Sequence, residues 1–285
     1  MSDIRRVLGN AGWNLGGSLV PLLAATALVP VIVDRMGVER FGLLSLAWVL
    51  IGYFSLFDLG LGRALTKMIA ERRESPASKE IESLTTSGIA MMSALGVAGG
   101  VLVASCVPLG YAWLDRLPSD LANEAHSALL LVAGGIPIVV ATSALKSVLE
   151  GVQAFRLLNL IRAPAGVLLF AAPALTSIFS PRLDLATLAL VVARALILVA
   201  YVRPCLAHTR VRLEAIDRRW AMPMLRYGGW LTLSSIVGPL IVYLDRFVLG
   251  VVLSVSAVAY YAAPFEIVSR LLVIPASLAA ALFPA

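Results

Sequence analysis

The chain has 285 residues, of which 60% are hydrophobic and 14% charged, with a formal net charge of +6 and a mean hydropathy of +0.91. Soluble domains carry about a quarter charged residues, so this apolar excess excludes a water-soluble globule and makes the bilayer the solvent. The basic residues fall in short patches between apolar runs and form no basic domain, which excludes nucleic acid as a partner and assigns the patches to topology and anionic lipid headgroups.

A helix needs about 20 apolar residues to cross the hydrocarbon, and eight runs qualify. The first, Gly12–Val33, follows Arg5 and Arg6. It is too long for a signal-peptide core and no A-x-A site follows it, so it reads as a retained helix. The second is Phe41–Ala64, interrupted near its end by Asp58 and Arg63. A charged loop, Glu71–Glu82, leads to the third, Ser83–Pro108, where Gly96 and Gly100 are spaced for close helix contact. The fourth is Leu121–Val148. A polar connection, Glu150–Asn159, runs into the fifth, Leu160–Ile178. The sixth, Leu183–Val202, carries Arg194 in its middle. The longest polar segment follows, Arg203–Trp220, with five arginines. The seventh is Leu225–Leu249, and a turn near Ser254–Ser256 gives the eighth, Ala257–Phe283. No segment alternates like a strand, so the expected class is an all-α polytopic membrane protein.

Basic residues crowd the N-terminal side of this arrangement. Arg5, Arg6, Arg63, Lys67, Arg72, Arg73, Lys79, Lys146, Arg156, Arg162 and the arginines of 203–226 lie there, against Arg35, Arg40, Arg116, Arg182 and Arg246 opposite. The positive-inside bias places the N-terminus in the cytoplasm. Ala11–Pro21 (AGWNLGGSLVP) is echoed by Gly228–Pro239 (GGWLTLSSIVGP), 217 residues later. A parallel repeat at that distance predicts a six-helix lobe over 1–210 and the first two helices of a second lobe over 211–285.

Charges inside a membrane cost at least ~2.5–3.5 kcal/mol each on insertion scales, so they need partners or water. Arg194 lies about 16 Å into its helix at 1.5 Å per residue. It reads either as a cation lining a hydrated cavity or as half of a helix-holding pair. Glu266 and Arg270 share a face at i,i+4. They form a self-neutralising pair, or Glu266 takes up protons while Arg270 holds an anion. Asp58 and Arg63, beside Gly60 and Gly62, read as a helix end reaching water, and Asp245 and Arg246 read the same way. Asn14 is a substrate contact or an interhelical hydrogen bond. Trp13, Trp113, Trp220 and Trp230 lie near run ends, as an interfacial belt would place them. Cys106 and Cys205 fall near opposite faces, which argues against a disulfide. No Walker A pattern, nucleotide fingerprint or zinc spacing occurs, so no cofactor or metal is expected.

Phe41–Glu71 (FGLLSLAWVLIGYFSLFDLGLGRALTKMIAE), Arg226–Gly250 (RYGGWLTLSSIVGPLIVYLDRFVLG) and Glu150–Pro164 (EGVQAFRLLNLIRAP) resemble the bacterial polysaccharide-export and O-antigen flippases of the multidrug/oligosaccharidyl-lipid/polysaccharide exporter superfamily. The resemblance implies twelve to fourteen helices in two lobes around a central cavity, so this chain is expected to be part of a longer protein. It implies a polyprenyl-diphosphate-linked oligosaccharide moved outward across the inner membrane, with H+ or Na+ coupling and contacts with other polysaccharide-assembly proteins. Arg194, Arg270, Arg63, Arg246 and Asn14 are then the substrate-path candidates, and Asp58, Asp245 and Glu266 the ion-coupling candidates. A drug exporter of the same superfamily should carry more acids than arginines inside. A membrane glycosyltransferase, polymerase or ligase should carry a large loop or an acidic cluster on one face. A structural membrane subunit is the third alternative.

Overall fold

The computed structural model describes residues 20–56, 60–72, 79–110, 117–209 and 211–271; side chains at 54–56, 109, 110, 213, 230–243, 267, 270 and 271 fall outside that description. The described chain is helical and contains no strand. In hydrocarbon each backbone N–H and C=O must be satisfied within its own segment, and the helix does this for a single span. The elements are α1 (20–36), α2 (Val38–Leu56), α3 (Leu61–Glu71), α4 (Lys79–Cys106), α5 (Ser119–Gly151), α6 (Phe155–Phe179), α7 (Leu183–His208), α8 (Ala221–Val252) and α9 (Val255–Leu271). By length and composition α4, α5, α6 and α7 are each able to cross a membrane. The protein is an all-α, multi-pass membrane protein.

Helix α5 is the hub. It is apolar on every side, as a helix enclosed by neighbours must be, and it packs against α2, α3, α4 and α7. Between helices in lipid, association rests on close packing more than on dehydration. The expected α4 glycines do this work. A Cβ on Gly96 would come within 2.9 Å of Val140 Cβ, and one on Gly100 within 2.7 Å of the Ala133 carbonyl oxygen. Two apolar clusters fill the opposite ends of the bundle. One gathers Leu65, Ile69, Leu84, Val148, Tyr201 and Trp220 near the α5–α6 turn. The other gathers Ile32, Phe41, Leu121, Phe170, Leu183 and Val255 near the α6–α7 turn.

The run expected as one helix over 41–64 is two. α2 ends at Leu56, residues 57–59 lie outside the described chain, and Gly60 has a left-handed φ of 66° before α3 begins. Only glycine adopts that conformation without strain. A Cβ there would also meet the Gly228 carbonyl oxygen of α8 at 2.4 Å. α3 is amphipathic. Leu61, Ala64, Leu65, Met68 and Ile69 are buried at helical spacing, while Arg63 and Lys67 face outward.

The arginine-rich segment after α7 is docked. Trp220 Nε1–H donates to Ser83 Oγ at 3.1 Å, the Asp217 amide donates to Ser87 Oγ at 2.8 Å, and the Arg212 amide donates to Thr86 Oγ1 at 3.3 Å. Arg72 and Arg219 lie over the Trp220 ring. Trp220, expected in an interfacial belt near a run end, stands at the start of α8 and is buried in the cluster beside α4. Ser83 Oγ on α4 satisfies its indole N–H there. Trp13, Trp113 and the Trp230 side chain lie outside the description. Cys106 and Cys205 are both free thiols.

Candidate functional site

Three helices bring cations together between the α5–α6 turn and the middle of the bundle. Lys146 lies five residues before the end of α5, Arg162 seven residues into α6, and Arg194 eleven residues into α7. At 1.5 Å per residue, counted from the α5–α6 end (His208 on α7, fourteen residues beyond Arg194), these depths are about 8, 10 and 21 Å. The three form a ladder from the bundle end toward its middle. The charges acting on Lys146 are those of Arg194, Arg162 and Glu150, so three cations face one carboxylate. Glu150 is one turn beyond Lys146 on the same face. Lys146 Nζ also sits 5.5 Å from the centroid of the Tyr201 ring, within cation–π range. Tyr201 is seven residues beyond Arg194 on α7, two turns along one side.

Arg194 is poorly compensated among the described residues. Its Nε is buried without a hydrogen-bond partner, and no ion pair holds it among the described residues. The helix-holding alternative for Arg194 needs a carboxylate, and none of the described ones takes that place. Arg162 is exposed. A buried guanidinium edge beside two further cations is suited to an anion with several oxygens, because planar N–H forks match such groups two at a time.

The other anticipated residues are placed differently. Arg246 on α8 is fully buried, and its Nη2 donates to Glu266 Oε1 of α9 at 3.0 Å. Its guanidinium lies over the Phe265 ring at 4.8 Å. The expected helix end in water is therefore corrected for Arg246, which the α8–α9 packing encloses. Glu266 takes this partner across two helices; the Arg270 side chain lies outside the description. Asp245 accepts from the Tyr261 hydroxyl and, at 2.7 Å, from the Arg246 amide. Arg63 is exposed on α3. Asn14 and Asp58 lie outside the described residues. Among the described residues no group of three His, Cys, Asp or Glu could hold a metal ion.

Sequence reasoning counted Lys146 and Arg162 only as topology markers. The available signal was a lysine still inside the apolar run Leu121–Val148, about 8 Å before α5 ends. It also overlooked the polar lock at the other end. Arg40 Nε and Nη2 donate to both carboxylate oxygens of Glu124 at 2.8 Å, and the Leu183 amide donates to Glu124 Oε2 at 2.9 Å. One α5 carboxylate thus joins α2 and caps the start of α7.

Two cavities flank that lock. A polar cleft of about 530 Å³ is lined by Glu39, Arg40, Asp120, Ser256 and Tyr260 among others. An apolar pocket of about 230 Å³ lies deeper, between α2, α5, α7 and α8.

A model of the family described as "Polysaccharide biosynthesis protein" matches residues 7–285. The Shigella flexneri protein named "Putative O-antigen transporter" is 30% identical over 284 residues, covering 98% of this chain and 66% of its own length. The chain thus spans about two thirds of that relative. Among solved structures, the inward-facing conformation of a multidrug resistance MATE family transporter of the MOP superfamily aligns with a TM-score of 0.68 at 16% identity, over 93% of this chain and 64% of that one. A MATE in complex with MaD3S aligns at 0.69, also at 16% identity, over 98% and 64%. At such low identity these structures share the fold with this chain.

Proposed function

Because the chain belongs to the polysaccharide biosynthesis protein family, we propose that it forms the larger part of a bacterial inner-membrane transporter. Its cargo is a polyprenyl-diphosphate-linked oligosaccharide, exported for a cell-surface polysaccharide such as O-antigen. The observation that carries this reading is the ladder Lys146, Arg162 and Arg194, opposed among the described residues by Glu150. A sugar-diphosphate head cannot enter hydrocarbon, since each polar group would lose its water without replacement. Fixed cations at graded depth offset the diphosphate charge as the head leaves the cytoplasmic side. The protein moves its substrate and performs no chemistry on it.

In this reading residues 1–210 form one lobe and 211–285 begin a second, and the lobes rock in alternating access. The α5–α6 turn faces the cytoplasm, as the basic-residue bias requires. Asp58, Asp245 and Glu266 remain the ion-coupling candidates for H+ or Na+. Arg63, Arg270 and Asn14 remain path candidates beside Arg194, while Arg246 serves to hold α8 to α9 through Glu266. The cation excess favours an anionic cargo over a cationic drug.

Orientation is tested by reporter tags after Lys79 and after Arg212, both expected to report from inside the cell; either one outside overturns the topology. Cargo is tested with the full-length protein in liposomes carrying a fluorescent lipid-linked oligosaccharide. Its appearance in the far leaflet is expected. Movement of a cationic dye with no movement of the lipid-linked sugar would replace this reading with drug export.

A further inference from the structure

We propose that the apolar pocket between α2, α5, α7 and α8 holds the hydrocarbon tail of the transported lipid, with the polar cleft above it receiving the departing headgroup. This rests on the transport reading above. The pocket is lined only by apolar residues, including Leu46, Leu50, Ala128, Val132, Phe247 and Val251. Apolar cavities of about 150 Å³ stay dry and take a ring the size of benzene. At about 230 Å³ this one accepts a branched hydrocarbon segment and gives water nothing to bond.

Its position selects the occupant. α2, α5 and α7 supply one wall and α8 the other, so the pocket lies in the seam between the two proposed lobes. A bulk lipid covers the outside of the bundle and has no need of that seam. A lipid whose head travels between the lobes must pass its tail through it. The polar cleft shares α2 and α5 with the pocket, through Arg40 and Asp120 above and Leu50 and Val132 below. From Arg40 to Leu50 is ten residues, or about 15 Å along α2. That is half of a hydrocarbon core of about 30 Å. A polar chamber stacked on an apolar one, together one leaflet deep, has the shape of a single amphiphile. The cleft's charges suit release. Arg40 is engaged by Glu124, which leaves Glu39 and Asp120 facing an arriving diphosphate. Like charges there oppose rebinding, whereas the ladder at the other end favours capture.

The test is photolabelling of the full-length protein in nanodiscs. One probe is a polyprenyl diphosphate with a diazirine in its tail and no sugar; the other is a phospholipid with the same group in an acyl chain. The polyprenyl probe is expected to label the peptides carrying Leu46–Leu50 and Val132. Labelling should fall at least fivefold in Ala128→Trp, which fills the pocket from α5. Val251→Trp narrows it from α8 at a residue that is 64% exposed and tolerant of bulk, so it reports even if the first variant folds poorly. Equal labelling by the phospholipid, or labelling unchanged in a folded Trp variant, overturns the tail site. The probe carries no sugar and crosses no membrane in this assay. Pocket labelling in a protein that moves no lipid-linked sugar would support the tail site while removing the transport reading. Transport without pocket labelling would do the reverse.

Discussion

Arg194→Met in the full-length transporter should reduce lipid-linked oligosaccharide transport by roughly 10- to 100-fold while thermal stability holds or rises. A charge-assisted hydrogen bond to a phosphate oxygen contributes about 1.5–3 kcal/mol, and each 1.4 kcal/mol is tenfold. The stability half of the result separates the two readings of this residue. Arg194 Nε is buried and unpartnered, at a cost of about 1–3 kcal/mol to the resting protein. The methionine chain reaches about as far as Nε and carries no such polar atom. If Arg194 held helices together through an ion pair, its loss would leave a carboxylate buried alone and lower stability by about 3–5 kcal/mol. Transport in liposomes and unfolding followed by size exclusion after heating check both halves. Full transport with a lowered unfolding temperature would return Arg194 to the structural class. Lys146→Met should act in the same direction on transport, with a smaller stability gain, because Lys146 Nζ already has the Tyr201 ring as a neighbour.

Glu124→Ala should give the largest loss of stability among single substitutions at described charged residues, about 3 kcal/mol. Three donors converge on this carboxylate from two other helices: Arg40 twice and the Leu183 amide once. Alanine strands all of them. The Arg40 side chain is 31% exposed and Glu124 10% exposed, so water recovers part of the Arg40 loss and the lower end of the range for a broken buried pair applies. The Leu183 amide is the first N–H of α7 and has no intrahelical acceptor. Replacing both partners, as Arg40→Met with Glu124→Leu, should recover most of the loss, because an apolar pair of similar volume avoids the desolvation cost. The α7 cap would stay lost, so recovery should be incomplete. A single-variant effect below about 0.5 kcal/mol, the usual range for an unimportant surface change, would show that the lock does not hold these three helices.

The two sites divide the labour between the ends of the bundle. Toward the α6–α7 end, the cations Arg40 and Arg246 are paired with Glu124 and Glu266, and Glu39 and Asp120 line the cleft. Toward the α5–α6 end, Lys146, Arg162 and Arg194 stand against Glu150 among the described residues. An export path needs that asymmetry, because a site equally attractive at both faces would hold its cargo rather than move it.

The sequence by itself determined that this protein crosses the membrane repeatedly as helices. Run length and hydropathy decide it, because unpaired backbone in lipid is too costly for any open alternative. It also determined which residues carry costly charge, and it marked Gly96 and Gly100 as points of close approach. Only the tertiary structure decided who pairs with whom. Spacing offered Glu266 the nearby Arg270, whose side chain lies outside the described residues; it could not show that Glu266 also meets Arg246, twenty residues away on the neighbouring helix. Arg40 counted only as an outward-facing basic residue until Glu124, 84 positions later, was brought against it. Lys146, Arg162 and Arg194 sit in three separate runs, and nothing in their spacing announces that the charges of the two arginines act on Lys146. The reason is geometric. A helix presents each side chain at an angle fixed within its own span, but the rotation and offset of one helix against the next are set by how their surfaces interlock. Hydropathy averages over those surfaces and so cannot see them.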